Sequence, residues 1–124
     1  MNYPYDSNFE PPAPTLEISV SAPVSQEPQV KLKALIDSGA NLTAIPQQII
    51  NNLQLYPVDE INVSDYEGRI SPKTLYAVSL SIMNLEPKII TAVSTNENFI
   101  FLGRDVINDW KLLLDGRKGI FDIS

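Results

Sequence analysis

The stretch Ala34-Leu35-Ile36-Asp37-Ser38-Gly39-Ala40-Asn41-Leu42-Thr43-Ala44-Ile45 constrains this chain more than any other. An aliphatic run breaks on a lone carboxylate, a hydroxyl and a glycine, then turns apolar again. A strand that enters a core and ends on Asp-Ser-Gly delivers its carboxylate to a cleft at its far end, and Gly39 permits both a sharp turn and the close approach of another chain. Asp-Ser-Gly by itself is an ordinary turn, since Asp and Ser bond nearby amides and glycine supplies positive φ. Here apolar residues flank it on both sides. A carboxylate at the base of such a turn is costly without a partner or a purpose, which makes Asp37 the first candidate for chemistry.

The kind of chemistry is narrowed by two missing residue types: the 124 residues include no cysteine and no histidine. Thiol nucleophiles, Cys/His zinc sites and imidazole bases are thereby excluded, and no metal or other cofactor is expected. Carboxylates remain the natural acids and bases, because neighbours can split their pKa values. The net charge of −6, with no basic run beyond Arg117-Lys118, argues against a nucleic-acid surface. No apolar run is long enough to cross a bilayer, and Met1-Asn2-Tyr3-Pro4-Tyr5-Asp6 lacks a secretory pattern, so a cytoplasmic protein is expected.

Residues 1–14 carry Pro4, Pro11, Pro12 and Pro14 without periodicity and read as a flexible leader, with one domain over residues 15–124. Leu16, Ile18 and Val20 alternate with polar residues. A turn at Ser25-Gln26-Glu27-Pro28 leads to a second strand, Gln29 to Ile36, which carries the Asp. Leu42 to Ile45 reads as a short strand, and Pro46 opens a short amphipathic helix over Gln47 to Leu53. Val58 to Val63 and Ile70 to Met83 form a hairpin whose tip, Ser64 to Arg69, is either an exposed turn or a flap over a substrate. A strand over Pro87 to Val93 precedes Phe99-Ile100-Phe101-Leu102, which runs into Gly103-Arg104-Asp105. Asp105 is well placed to cap a helical turn over Val106 to Trp110. Leu112 to Leu114, an Asp115-Gly116 turn and Gly119 to Ile123 close the chain as a hairpin.

Taken together, the pieces resemble the retropepsin-like aspartic proteases of retroviruses, retrotransposons and free-standing genes. Leu35-Ile36-Asp37-Ser38-Gly39-Ala40 matches the Asp-Thr/Ser-Gly-Ala signature that follows an aliphatic strand, and Phe101-Leu102-Gly103-Arg104-Asp105 matches the late hydrophobic-hydrophobic-Gly-Arg-Asp/Asn signature. The resemblance implies an all-β fold: a closed, mostly antiparallel, barrel-like acid-protease domain with one or two short helices and one half-site per chain. It implies Asp37 as the catalytic residue, supported by Ser38, Gly39 and Ala40. Tyr66, Glu67, Gly68, Arg69 and Ile70 would form the flap, and Asn41, Gly103, Arg104 and Asp105 would lie structurally beneath the site. Asn41 stands where many viral members have an acid, so Arg104 is expected to bond a neutral amide, a carbonyl or another carboxylate.

Only one Asp-Ser-Gly is present, whereas activating water between carboxylates takes two, so a homodimer is expected to bring Asp37 to its own symmetry mate. Two carboxylates sharing one site hold one proton between them. The ionised member activates a water against a peptide carbonyl, and the protonated one stabilises the oxyanion and supplies the leaving amine's proton. The expected substrate is an extended peptide or a polyprotein segment, including the chain's own flanks. The competing reading is a catalytically silent dimerisation or peptide-binding module of the same fold.

Overall fold

The computed structural model describes residues 2–25 and 27–124. Its elements run β1 (Asn2–Pro4), β2 (Thr15–Ser21), β3 (Val30–Ile36), β4 (Ala44–Pro46), α1 (Gln47–Asn52), β5 (Pro57–Ser64), β6 (Ile70–Ile82) and β7 (Lys88–Thr95), then β8 (Ile100–Leu102), α2 (Arg104–Ile107), β9 (Leu112–Asp115) and β10 (Ile120–Ile123). The turn expected over residues 25–28 includes Gln26, which lies outside the described residues, as does Met1 of the expected leader.

Period-two alternation places the core. Leu16, Ile18 and Val20 of β2 are buried, and Leu32 and Ala34 of β3 lie opposite Ile18 and Leu16 in an antiparallel register. Seven strands pair in the order β2-β3-β8-β4-β7-β6-β5, and β2 pairs with β6 as well, so the order returns to its start with β5 outside the ring. Ile18, Val20, Ala34, Ile45, Val78, Leu80, Ile100 and Leu102 fill the interior almost without exposure, roughly 1.5–3 kcal/mol for each large aliphatic side chain removed from water. The helices are short, and α1 contributes Ile50 to the core while α2 contributes Val106 and Ile107.

Three details differ from the sequence reading. The sheet is mixed, because β3–β8 and β4–β7 pair in parallel. The Asp115-Gly116 dipeptide opens a longer loop in which pairing resumes at Ile120 and the left-handed residue is Gly119, at φ +67°, while the Asp115 carboxylate accepts from Lys118 N–H at 3.1 Å. The third difference lies at the amino terminus. Within residues 2–14, read as a flexible leader, a strand forms: β1 pairs with β10 to complete a three-stranded sheet β1-β10-β9, and the rings of Tyr3 and Tyr5 pack at a tilt against the buried Phe121. Asp6 accepts from Asn8 N–H at 2.9 Å and from the Thr15 hydroxyl at 3.3 Å and pairs with Lys33, while Phe9 packs edge-on against Phe99. Prolines hid this order in the sequence, since the anchoring comes from aromatic residues too widely spaced to form a periodic pattern.

Candidate active site

Two neighbouring parallel strands end at the same rim. In β3 and β8 the partners are Ala34 with Ile100, Leu35 with Phe101 and Ile36 with Leu102, so the residues that follow, Asp37 and Gly103-Arg104-Asp105, emerge side by side although 66 positions separate Asp37 from Gly103. The pairing extends one step further: Asp37 N–H donates to the Leu102 carbonyl at 2.9 Å and Arg104 N–H donates to the Ala40 carbonyl at the same distance. Within the loop, the Asp37 carboxylate accepts from Gly39 N–H at 3.0 Å, and Ala40 N–H closes a turn onto the Asp37 carbonyl at 3.2 Å. A methyl group at Gly39 would stand only 3.3 Å from Asp37 Oδ1, so the glycine leaves that oxygen room. Ser38, Gly39 and Asn41 are exposed, and Asp37 and Ala40 are half-exposed.

Beneath this loop lies a residue that the sequence reading passed over. Thr43 is fully buried, and its hydroxyl donates to Asp105 Oδ1 at 2.8 Å while accepting from Gly103 N–H at 3.1 Å. Its own N–H donates to Asp105 Oδ2 at 3.0 Å. Asp105 therefore does not cap the helical turn as expected. Gly103 occupies the N-cap position of α2, with no side-chain cap bond, and the Asp105 carboxylate is taken up by two donors that would otherwise be buried without acceptors. A polar residue in the apolar run Leu42 to Ile45 was the available signal. Gly103 is required by close packing, since a Cβ there would lie 2.7 Å from the Leu42 carbonyl carbon. Arg104 reaches back over the loop, donating to the Ser38 carbonyl at 2.6 Å and to the Asn41 side-chain oxygen. A carbonyl and a neutral amide thus meet the guanidinium where a carboxylate could have stood.

The hairpin arm stands on the other side. A cavity of about 440 Å3 lies between the Asp37 loop and the arm, lined by Gly39, Asn41, Leu42 and Val93 and by Ile61, Asn62, Val63 and Ser64 of β5. The expected flap residues are not part of this lining. Tyr66, Glu67, Gly68 and Arg69 form the tip, Ile70 starts β6, and all five are exposed. Asp65 closes the tip: its carboxylate accepts from Glu67 N–H and Arg69 N–H, each at 2.9 Å, and from Arg69 Nε at 2.8 Å. The Arg69 amide, followed by its guanidinium and the Glu67 amide, holds the Asp65 carboxyl below the usual carboxylate range against the opposing effect of desolvation. The structure thus joins the Asp37 loop to the 102–105 segment by direct bonds, and brings the arm to the loop through β5, not through its tip.

Among the described residues, no group of three or more carboxylate, imidazole or thiol side chains is arranged to hold a metal ion, and no helix is long and apolar enough to cross a membrane. The loop presents one carboxylate in a hydrogen-bonded frame beside a partly apolar cavity with a polar, glycine-containing edge.

No protein-family model matches the sequence. No curated protein sequence matches it either. Solved structures do. A retropepsin-like aspartic protease from Rickettsia conorii superposes with a TM-score of 0.65 at 15% identity, over 99% of this chain and 88% of that one. The simian foamy virus (mac) protease gives 0.58 at 18% identity, covering 77% of this chain and 92% of that one. The EIAV protease, solved with the inhibitor HBY-793, gives 0.57 at 17%, covering 78% and 86%. The bacterial structure overlays nearly the whole chain where the viral ones leave about a fifth unmatched.

Proposed function

We propose, from the premise that this chain has the fold of the retropepsin-like aspartic proteases, that it is an aspartic endopeptidase working as a homodimer in which each subunit contributes Asp37. The observation that carries this reading is the Asp37 loop itself, a single carboxylate at a rim, fixed by the Gly39 amide and tied to the 102–105 segment, beside a cavity under a hairpin arm. One carboxylate cannot act as base toward water and as acid toward the leaving group at once. Across a twofold axis two can, because like charges at close range share a proton.

The reading assigns each half its roles. The Gly39 amide keeps one Asp37 oxygen oriented, and Gly39 offers an unobstructed surface to an extended peptide. The ionised carboxylate takes a proton from water, the water attacks the scissile carbonyl, and the protonated carboxyl stabilises the oxyanion and then protonates the amine. The Ser38 carbonyl is held by Arg104, and in this reading the Ser38 hydroxyl bonds across the dimer and keeps the carboxylates aligned. Leu42, Ile61, Val63 and Val93 give the cavity walls that suit an apolar side chain of the peptide. Polyprotein junctions, the chain's own flanks among them, are substrates of this extended kind.

A second copy has a place to pair. In the β1-β10-β9 sheet, β1 covers one edge of β10, and β9 is left at the sheet's edge with Leu113 and Leu114 about half to two-thirds exposed. Such an apolar edge is a template for strand addition, and a partner's β9 would satisfy it. The test is digestion of denatured casein between pH 4 and 7 by wild type and Asp37→Asn over a range of protein concentrations. Cleavage whose specific activity rises with concentration and disappears in the variant is the expected result. Cleavage retained by the variant, or dimers that cleave nothing at any pH, would overturn it.

A further inference from the structure

The hairpin tip has an internal order that its surroundings do not explain. Seven of the eight residues of β5 and the first four of β6 are exposed, so little of the outer arm packs against the body. A tip in that position, containing a glycine at φ +80°, would be expected to sample many shapes. Instead one side chain organises it. The Asp65 carboxylate receives three N–H groups, its backbone N–H donates to the Arg69 carbonyl at 2.9 Å, and its carbonyl accepts from Gly68 N–H at 3.1 Å. Arg69 Nη2 lies 3.3 Å from Glu67 Oε2, which adds a second acid to the same guanidinium. Every one of these bonds is made within residues 65–69. Tyr66, at the apex, has its ring wholly in solvent.

This arrangement is a pre-shaped end on an otherwise unsupported arm, with an aromatic side chain left in solvent. An exposed ring held on an ordered turn can lie on a peptide at small entropic cost, because the backbone that carries it has already been fixed. We propose that Asp65 is a positioning residue for peptide binding: its carboxylate fixes the tip so that Tyr66 meets the substrate ready-formed. The inference rests on the protease reading for the identity of the ligand, but the clasp itself does not depend on that reading. Asp65 bonds only within the tip and lies outside the Asp37 loop, so its loss acts on binding and leaves the chemical step alone.

The experiment compares wild type, Asp65→Ala, Asp65→Asn and Tyr66→Ala on a quenched fluorescent peptide chosen from the casein fragments that the wild type produces. Asp65→Ala removes a charge-assisted set of hydrogen bonds and raises KM by about 5-fold or more with kcat unchanged. Asp65→Asn, which keeps one acceptor oxygen, falls between it and wild type. Tyr66→Ala raises KM likewise. In parallel, hydrogen exchange read on the Glu67 and Arg69 amides quickens in both Asp65 variants. Unchanged KM in Asp65→Ala, or a fall in kcat at constant KM, would overturn the proposal. Should the wild type cleave nothing, the protease reading fails by itself, and unaltered exchange at Glu67 and Arg69 in the variants would still refute the clasp.

Discussion

The Asp37 loop and the hairpin tip are both turns of a few residues built around an aspartate, and they are held in opposite ways. The Asp37 loop is tied to distant chain: Leu102, Arg104 and, through Thr43, Asp105 hold it from across the sheet. Among the described residues, the tip is tied only to itself, through Asp65. Long-range ties fix a carboxylate relative to the whole body, as the proposed pairing with a second carboxylate requires. Short-range ties fix a shape while leaving its position free, as the proposed contact of the tip with a peptide requires.

The contrast can be broken at its strongest point first. Asp37→Asn should lower peptide cleavage by at least ~100-fold, the lower end of what acid-base groups contribute, with little change in thermal midpoint. A large loss of stability in that variant would mean that the carboxylate serves the fold. Thr43→Val comes next. It keeps the shape but leaves the buried Gly103 N–H without an acceptor, so urea denaturation should show a loss of about 1–3 kcal/mol, with activity falling alongside. An unchanged urea midpoint would show that the loop does not depend on the core.

Two smaller effects sharpen the comparison. Lys33, with Asn8 N–H next in weight, lowers the Asp6 carboxyl below its ordinary value. A depressed acid contributes its stabilisation above the ordinary carboxylate pKa and loses it as the pH falls through the lowered one. Release of the β1 arm should therefore begin below about pH 4. Exchange at the Tyr5 amide, which is bonded to the Gly119 carbonyl, would report it, and the acid-induced change should be smaller in Asp6→Asn, with the part carried by Asp122, also held low, remaining. Gly68→Ala should have the smallest effect, about 1 kcal/mol of local strain at φ +80° with no steric clash, visible as faster exchange at the tip and not in the global midpoint.

Much of the fold could be read from the sequence because alternation is a local signal. Leu16-Ile18-Val20 and Val30-Leu32-Ala34 declare two strands, and the Ile36-Asp37 and Leu102-Gly103 boundaries declare two strand ends. What remained hidden was contact between residues far apart in the chain. No spacing rule reports that β3 and β8 lie parallel, that Thr43 joins Asp105 to Gly103, or that Tyr3 and Tyr5 find Phe121. Asp105 was misread as a cap for the same reason: an acid at the start of a short helix is the local explanation, whereas its real donors lie 62 positions away.

Strand β6 runs unbroken for 13 residues, giving its outer part to β5 and its inner part to β7 and β2, and the exchange of neighbours falls at Tyr76, opposite the irregular register between Pro57 and Asp59. The hairpin arm and the wall of the ring are therefore one beam, with its joint at the irregularity. Swinging motion should concentrate there, and amide exchange measured along the beam should step down sharply on passing inward through Tyr76.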